Sequence, residues 1–170
     1  DIFRNLFMYY FLAGLLFFIF IILNIFSENK SIHNFMKYIF IIFRSSIVLL
    51  FIAHTLGLIA RWYISGHAPW GDAYESMIYV AWATMGIGLL FIKKSDLTLA
   101  STSFVTSMIL MIAHWNWMDP SIANLVPVLN SYWLMIHVSV IVGRYGPFAL
   151  SMILGFVSLL LIIFITSSNK

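Results

Sequence analysis

Cysteine is absent from the 170 residues, which removes disulfides, thiolate metal sites and a cysteine nucleophile at a stroke. Charge is almost absent as well. Asp, Glu, Lys and Arg make up 9% of the chain, against about 25% in a soluble domain. With 62% hydrophobic residues and a mean hydropathy of +1.00, there is no polar material from which to build an aqueous surface. The formal charge of +3 and pI of about 9.3 do not point to nucleic acid, because the basic residues stand singly and form no patch. No P-loop, GxSxG, HExxH or GxGxxG occurs, so NTPase, hydrolase and dinucleotide functions have no support.

What remains is apolar sequence in runs of membrane-spanning length, about 20 residues each. The expected class is an all-α integral membrane bundle in one polytopic domain, 1–170. Its spans are at 6–26, 38–60, 76–92, 97–114 and 146–166, with an additional interfacial helix at 133–142. The polar segment SENKSIHNFMK and the Gly/Pro segment SGHAPWGDAYES separate the first three. The fourth carries Ser101, Thr102, Ser103, Thr106 and Ser107, a hydroxyl-rich composition that suits packing against other helices rather than lipid. GRYGP interrupts the last apolar stretch. The chain begins at Asp1 and its first run has no small-residue cleavage site, so that run reads as a span of a longer protein and not as a signal peptide.

The flanking charges predict an orientation. Lys30, Lys37, Lys93, Lys94 and Lys170 fall on one side and Arg4 and Arg61 on the other, with Arg144 near its boundary, so the lysine side is expected to be cytoplasmic. The outer loops are then 61–75 and 115–132. Trp62, Trp70, Trp115, Trp117 and Trp133 gather at that face, as an aromatic belt or as a stacking surface for a flat ligand.

Five histidines are present. His33 lies among Asn, Ser and Lys and reads as solvated. His54 lies inside the second span, two turns before Arg61, and either ligates iron or bonds a neighbouring carbonyl or hydroxyl. His67 sits in the outer Gly/Pro loop. His114 ends the fourth span and reads as interfacial. His137 is flanked by Met135, Ile136, Val138 and Val140, with Arg144 two turns on along the same face; together they offer a metal ligand and a cation for one anionic ligand. Asp72 precedes Glu75 in the spacing of a capping box, so Asp72 is expected to cap a helix, while Glu75 is left to face an outer site. The nine methionines are scattered and read as packing.

Two blocks, RWYISGHAPWGDAYESMIYVAW at 61–82 and NLVPVLNSYWLMIHVSVIVGRYGPFA at 124–149, closely resemble the CcsA (ResC) family of System II cytochrome c biogenesis, including its fused CcsBA form. The resemblance covers most of residues 40–166. It implies a haem-handling protein of the bacterial cytoplasmic membrane, with its haem site on the periplasmic side. Haem (b-type) would be the cargo, apocytochrome c the acceptor, and a CcsB (ResB) partner or fused part would assist in the surrounding lipid. Such a protein joins haem to the CxxCH segment of apocytochrome c, as part of a cytochrome c synthase. The histidine of the LMIHVS block is an outer axial haem ligand in that family, which assigns this role to His137. Arg144, His67, Arg61, His54, Trp70, Glu75 and Trp133 complete the expected haem-binding set. The family's tryptophan-rich haem platform is expected after the fifth span. WNWMDP at 115–120 is not its counterpart, since it precedes the LMIHVS block and has an extra residue before Asp119. Two other readings are open: a b-type cytochrome subunit that moves electrons between haems held by paired histidines, and a transporter or structural subunit without haem.

Overall fold

Apolar runs in a membrane become helices because every backbone N–H and C=O must be satisfied within the segment. The computed structural model describes residues 2–26, 30–115, 121 and 132–168. Among them the helices are α1 (Ile2–Phe26), α2 (Lys30–Ser65), α3 (Ala73–Leu90), α4 (Asp96–His114), α5 (Tyr132–Gly143) and α6 (Tyr145–Ser168). Four segments, Ile2–Asn24, Asn34–Ser65, Asp96–His114 and Ile136–Phe156, are long and apolar enough to cross a membrane. The chain is a multi-pass membrane protein with an all-α bundle, as its composition requires.

Helix ends differ from the expected spans by a few residues, and most at two places. Helix α2 starts at Lys30 rather than at 38, because Phe35, Met36, Phe40 and Phe43 continue its helical spacing back through the polar stretch. The expected interfacial helix and fifth span form a nearly continuous pair: Arg144 N donates to Val140 O at 3.2 Å and Phe148 N to Arg144 O at 3.4 Å across their junction. Pro147 falls in the first turn of α6, where its missing N–H is tolerated, so the interruption expected at GRYGP is a single-residue turn at Arg144 between α5 and α6. The membrane-length window accordingly straddles the junction instead of starting at 146.

Helix α4 is the inner element, packed chiefly against α1 and α3, and its Leu99, Thr102, Ser103, Val105, Thr106, Ser107 and Leu110 are buried. Its hydroxyls were expected to face protein, and they do. Ser103 Oγ donates to Tyr10 O of α1 at 2.9 Å, while Thr102 turns back on Thr98 O at 2.6 Å. An interhelical bond of the first kind contributes on the order of 0.6 kcal/mol in a membrane. Gly14 allows the approach of α1: a Cβ there would lie 2.9 Å from Phe104 N. Ser95 caps α4 by accepting from Thr98 N at 3.1 Å.

The helix ends sort into two sets. At one end, Phe7 of α1 stacks on His114 of α4, and Arg61 of α2 meets Glu75 of α3. At the other, Phe17 stacks on Phe43, and Arg44 grips Asp96 through Nε at 2.7 Å and Nη2 at 2.9 Å. This bidentate pair ties α2 to the first turn of α4, and the charge pattern at the span flanks gave no sign of it. We refer to the two as the Arg61 end and the Arg44 end.

Candidate functional site

The site at the Arg61 end begins where α2 stops. Gly66 takes φ +69°, a left-handed conformation that closes the helix, and its N–H bonds Trp62 O at 3.0 Å. Six residues later Asp72 starts α3, accepting from Glu75 N at 2.6 Å, so the capping role expected of Asp72 holds. Glu75 departs from a capping box. Rather than returning to the backbone of Asp72, its Oε1 accepts from Arg61 Nε at 2.9 Å and its Oε2 accepts from Gly71 N at 2.9 Å.

This carboxylate is 1% exposed and the guanidinium 8%. A charge so deep must be paired, and Arg61 gains further partners in Asp72 Oδ2 at 3.9 Å, the Tyr74 ring at 5.0 Å and Ser121 O at 3.4 Å. Burial pushes the Tyr74 phenol above its ordinary range, with the Arg61 guanidinium pulling the other way. His67 hangs from the same cluster, its Nδ1 3.2 Å from Ala68 O and 3.7 Å from Glu75 Oε2. Trp70 packs between Trp62 (6.0 Å between centroids) and Tyr79 (5.1 Å).

Of the residues singled out from sequence, Arg61, His67 and Glu75 thus come together around one carboxylate, with Trp70 in the same loop packed on Trp62 and Tyr79. Arg61 and Glu75 are committed to an internal pair.

A second group lies on α5. Trp133, Ile136, His137, Val140 and Arg144 are all exposed, whereas Val138, Ser139, Ile141, Val142 and Gly143 are partly buried. The spacing of the exposed set is one helical face, so the imidazole and the guanidinium share an outward strip roughly 10 Å long at 1.5 Å per residue. The inward face docks through Gly143, where a Cβ would be 3.6 Å from the Tyr79 ring. Tyr79 also touches Trp70, and so joins the two groups.

His54 belongs to neither. It is fully buried, with Nε2 3.2 Å from Ile78 O, Phe3 edge-on at 5.6 Å and Tyr10 at 6.1 Å. His67 stands beyond the end of α2 at Ser65, so His54 and His67 do not share a helix as the paired ligands of a b-type cytochrome would. Among the described residues no three of His, Cys, Asp and Glu gather to hold a metal ion. Trp117 and Asp119 lie outside the described residues, as does the structure of most of the 115–132 loop. Trp115 is described, and it is exposed at the Arg61 end.

The family described as cytochrome c assembly protein matches residues 70–169. The chain belongs to that family. It is 48% identical over 115 residues to protein NrfI of Wolinella succinogenes, covering 68% of this chain and 13% of that protein. It is 31% identical over 156 residues to the cytochrome c biogenesis protein CcsA of Prochlorococcus marinus (strain MIT 9515), covering 84% and 46%. The CcsA of Lotus japonicus is 31% identical over 134 residues, covering 71% and 38%. The chain therefore spans less than half the length of these relatives. The family match includes the Glu75 clamp and the whole of α5 with its exposed strip; Arg61 lies outside it.

Proposed function

We propose that this chain is the part of a cytochrome c biogenesis protein that presents haem at the outer face of the bacterial cytoplasmic membrane for attachment to apocytochrome c. The observation that carries the reading is the α5 strip, on which His137 and Arg144 stand exposed on an otherwise apolar face with Trp133 at its start. Haem is a flat apolar disc with two anionic propionates. An imidazole, a guanidinium and an indole on one strip supply coordination, charge pairing and stacking in that order.

The chemistry asked of the chain is positioning. In thioether formation each acceptor thiol adds across a haem vinyl group, sulfur to one carbon and the proton to the other, so no group on this chain needs to be consumed. The Arg61–Glu75 pair holds the 66–72 loop and the start of α3, and Tyr79 transmits that support to α5. A second haem ligand and the rest of the binding surface come from beyond this segment, from the longer protein or a CcsB-type partner.

The test is the absorption spectrum of the full-length protein purified from haem-replete cells, with apocytochrome c maturation assayed alongside. Retained b-type haem together with maturation activity supports the reading. A colourless protein that still supports maturation, or a haem protein without effect on it, contradicts it.

A further inference from the structure

Apart from the α5 strip, a cleft of about 480 Å³ opens at the Arg61 end between α1 and α4, lined by Arg4, Phe7, Met111, His114 and Trp115. Arg4 is the third residue of the membrane-length segment beginning at Ile2, and His114 is the last residue of the one ending there. The cleft thus lies at the depth where two spans meet the interface. None of these lining residues is acidic; Arg4 is exposed, and the His114 imidazole is stacked on Phe7. Below it, the groove between the helices continues as apolar surface: Phe11 packs on Phe104 at 5.7 Å, and Phe11, Met108 and Ile112 are each about two-fifths exposed. A guanidinium above an apolar track at interfacial depth matches one kind of molecule in all its parts.

We infer that this cleft is a binding site for an anionic phospholipid, its phosphate on Arg4 beside Trp115 and one acyl chain along Phe11, Met108 and Ile112. A guanidinium receives a phosphate through a planar fork of donors, and an indole is the usual neighbour of headgroups. The site lies away from His137 and does not depend on the haem reading. Its role is to fix α1 against the outer end of α4.

The cysteine-free chain makes the test direct. A fluorophore on Met108→Cys of the full-length protein is placed in vesicles of phosphatidylcholine containing a minor fraction of phosphatidylglycerol, with a spin label near the top of the acyl chain of one lipid or the other. The site predicts stronger quenching by labelled phosphatidylglycerol, an enrichment of roughly five-fold, which is what about 1 kcal/mol per basic residue near a membrane surface amounts to. The same fluorophore at Leu49, exposed on α2, reads bulk lipid and shows no preference. Arg4→Gln removes the preference at Met108, and Arg4→Lys retains part of it; since Arg4 is exposed, both variants should fold. Equal quenching by the two lipids in the wild type, or a preference unchanged in Arg4→Gln, overturns the proposal. So does displacement of neither lipid label but strong quenching on adding haem, lost in Arg4→Gln, which would make the cleft a haem site instead.

Discussion

Arg61 Nε donates to Glu75 Oε1 at 2.9 Å with both side chains buried. Their chain separation is short, yet the pair closes only because the 66–72 loop reverses the chain between α2 and α3. Removing one partner strands the other, at a cost of about 3–5 kcal/mol. Glu75→Ala and Arg61→Ala should each lower the unfolding temperature in detergent, while Arg61→Met combined with Glu75→Leu should recover a good part of the loss. Two single variants as stable as wild type would contradict the clamp.

His67 reports on that clamp from its edge. His67→Ala should lower cytochrome c yield while haem stays bound, because a loop imidazole 3.7 Å from Glu75 steadies the carboxylate without replacing it. Quantifying haem per protein and cytochrome c yield in the same cells separates the two effects. Complete loss of haem at normal protein level would make His67 a ligand.

His54 sits in a cage of Phe3, Tyr10 and the Ile78 carbonyl, a packing position. His54→Phe should keep haem content and maturation near wild type and cost about 1 kcal/mol, the net worth of one hydrogen bond. The reading fails if this variant loses haem at an unchanged unfolding temperature.

Orientation is open to a labelling test. Ala73→Cys and Lys94→Cys place thiols at exposed positions on opposite ends of α3, and an impermeant reagent should reach Ala73→Cys from outside and Lys94→Cys only from the cytoplasm. Both reacting from one side would reverse or break the topology.

Much of this was legible in the sequence because the bilayer leaves so few choices. Run length announced the helices, though the membrane-length segments are Ile2–Asn24, Asn34–Ser65, Asp96–His114 and Ile136–Phe156 among the described residues, and the hydroxyls of α4 announced its inner place. Asp72 was recognisable as a cap from its spacing to Glu75 alone. Arg44 does not show in the charges at the span flanks. A lone Arg inside an apolar run is costly without a partner, and that cost is the signal in the sequence for a carboxylate such as Asp96. The mutual pairing of Arg61 and Glu75 could not be read, since Glu75 was expected to face an outer site and only the path of the loop turns it to Arg61. The α5 strip was visible as the seven-residue interval from His137 to Arg144. Which side of that helix faces the bundle depended on Gly143 meeting Tyr79, a contact between distant segments.

The central claim is that His137 holds haem iron. The most direct measurement is the reduced-minus-oxidised spectrum of full-length wild type and His137→Ala at matched protein levels, each with and without added imidazole, beside cytochrome c yield. The account predicts that the variant loses haem or maturation activity and that imidazole, entering the vacated coordination position, restores part of both, a repair that a packing defect would not undergo. Identical spectra and undiminished cytochrome c assembly in His137→Ala would contradict it.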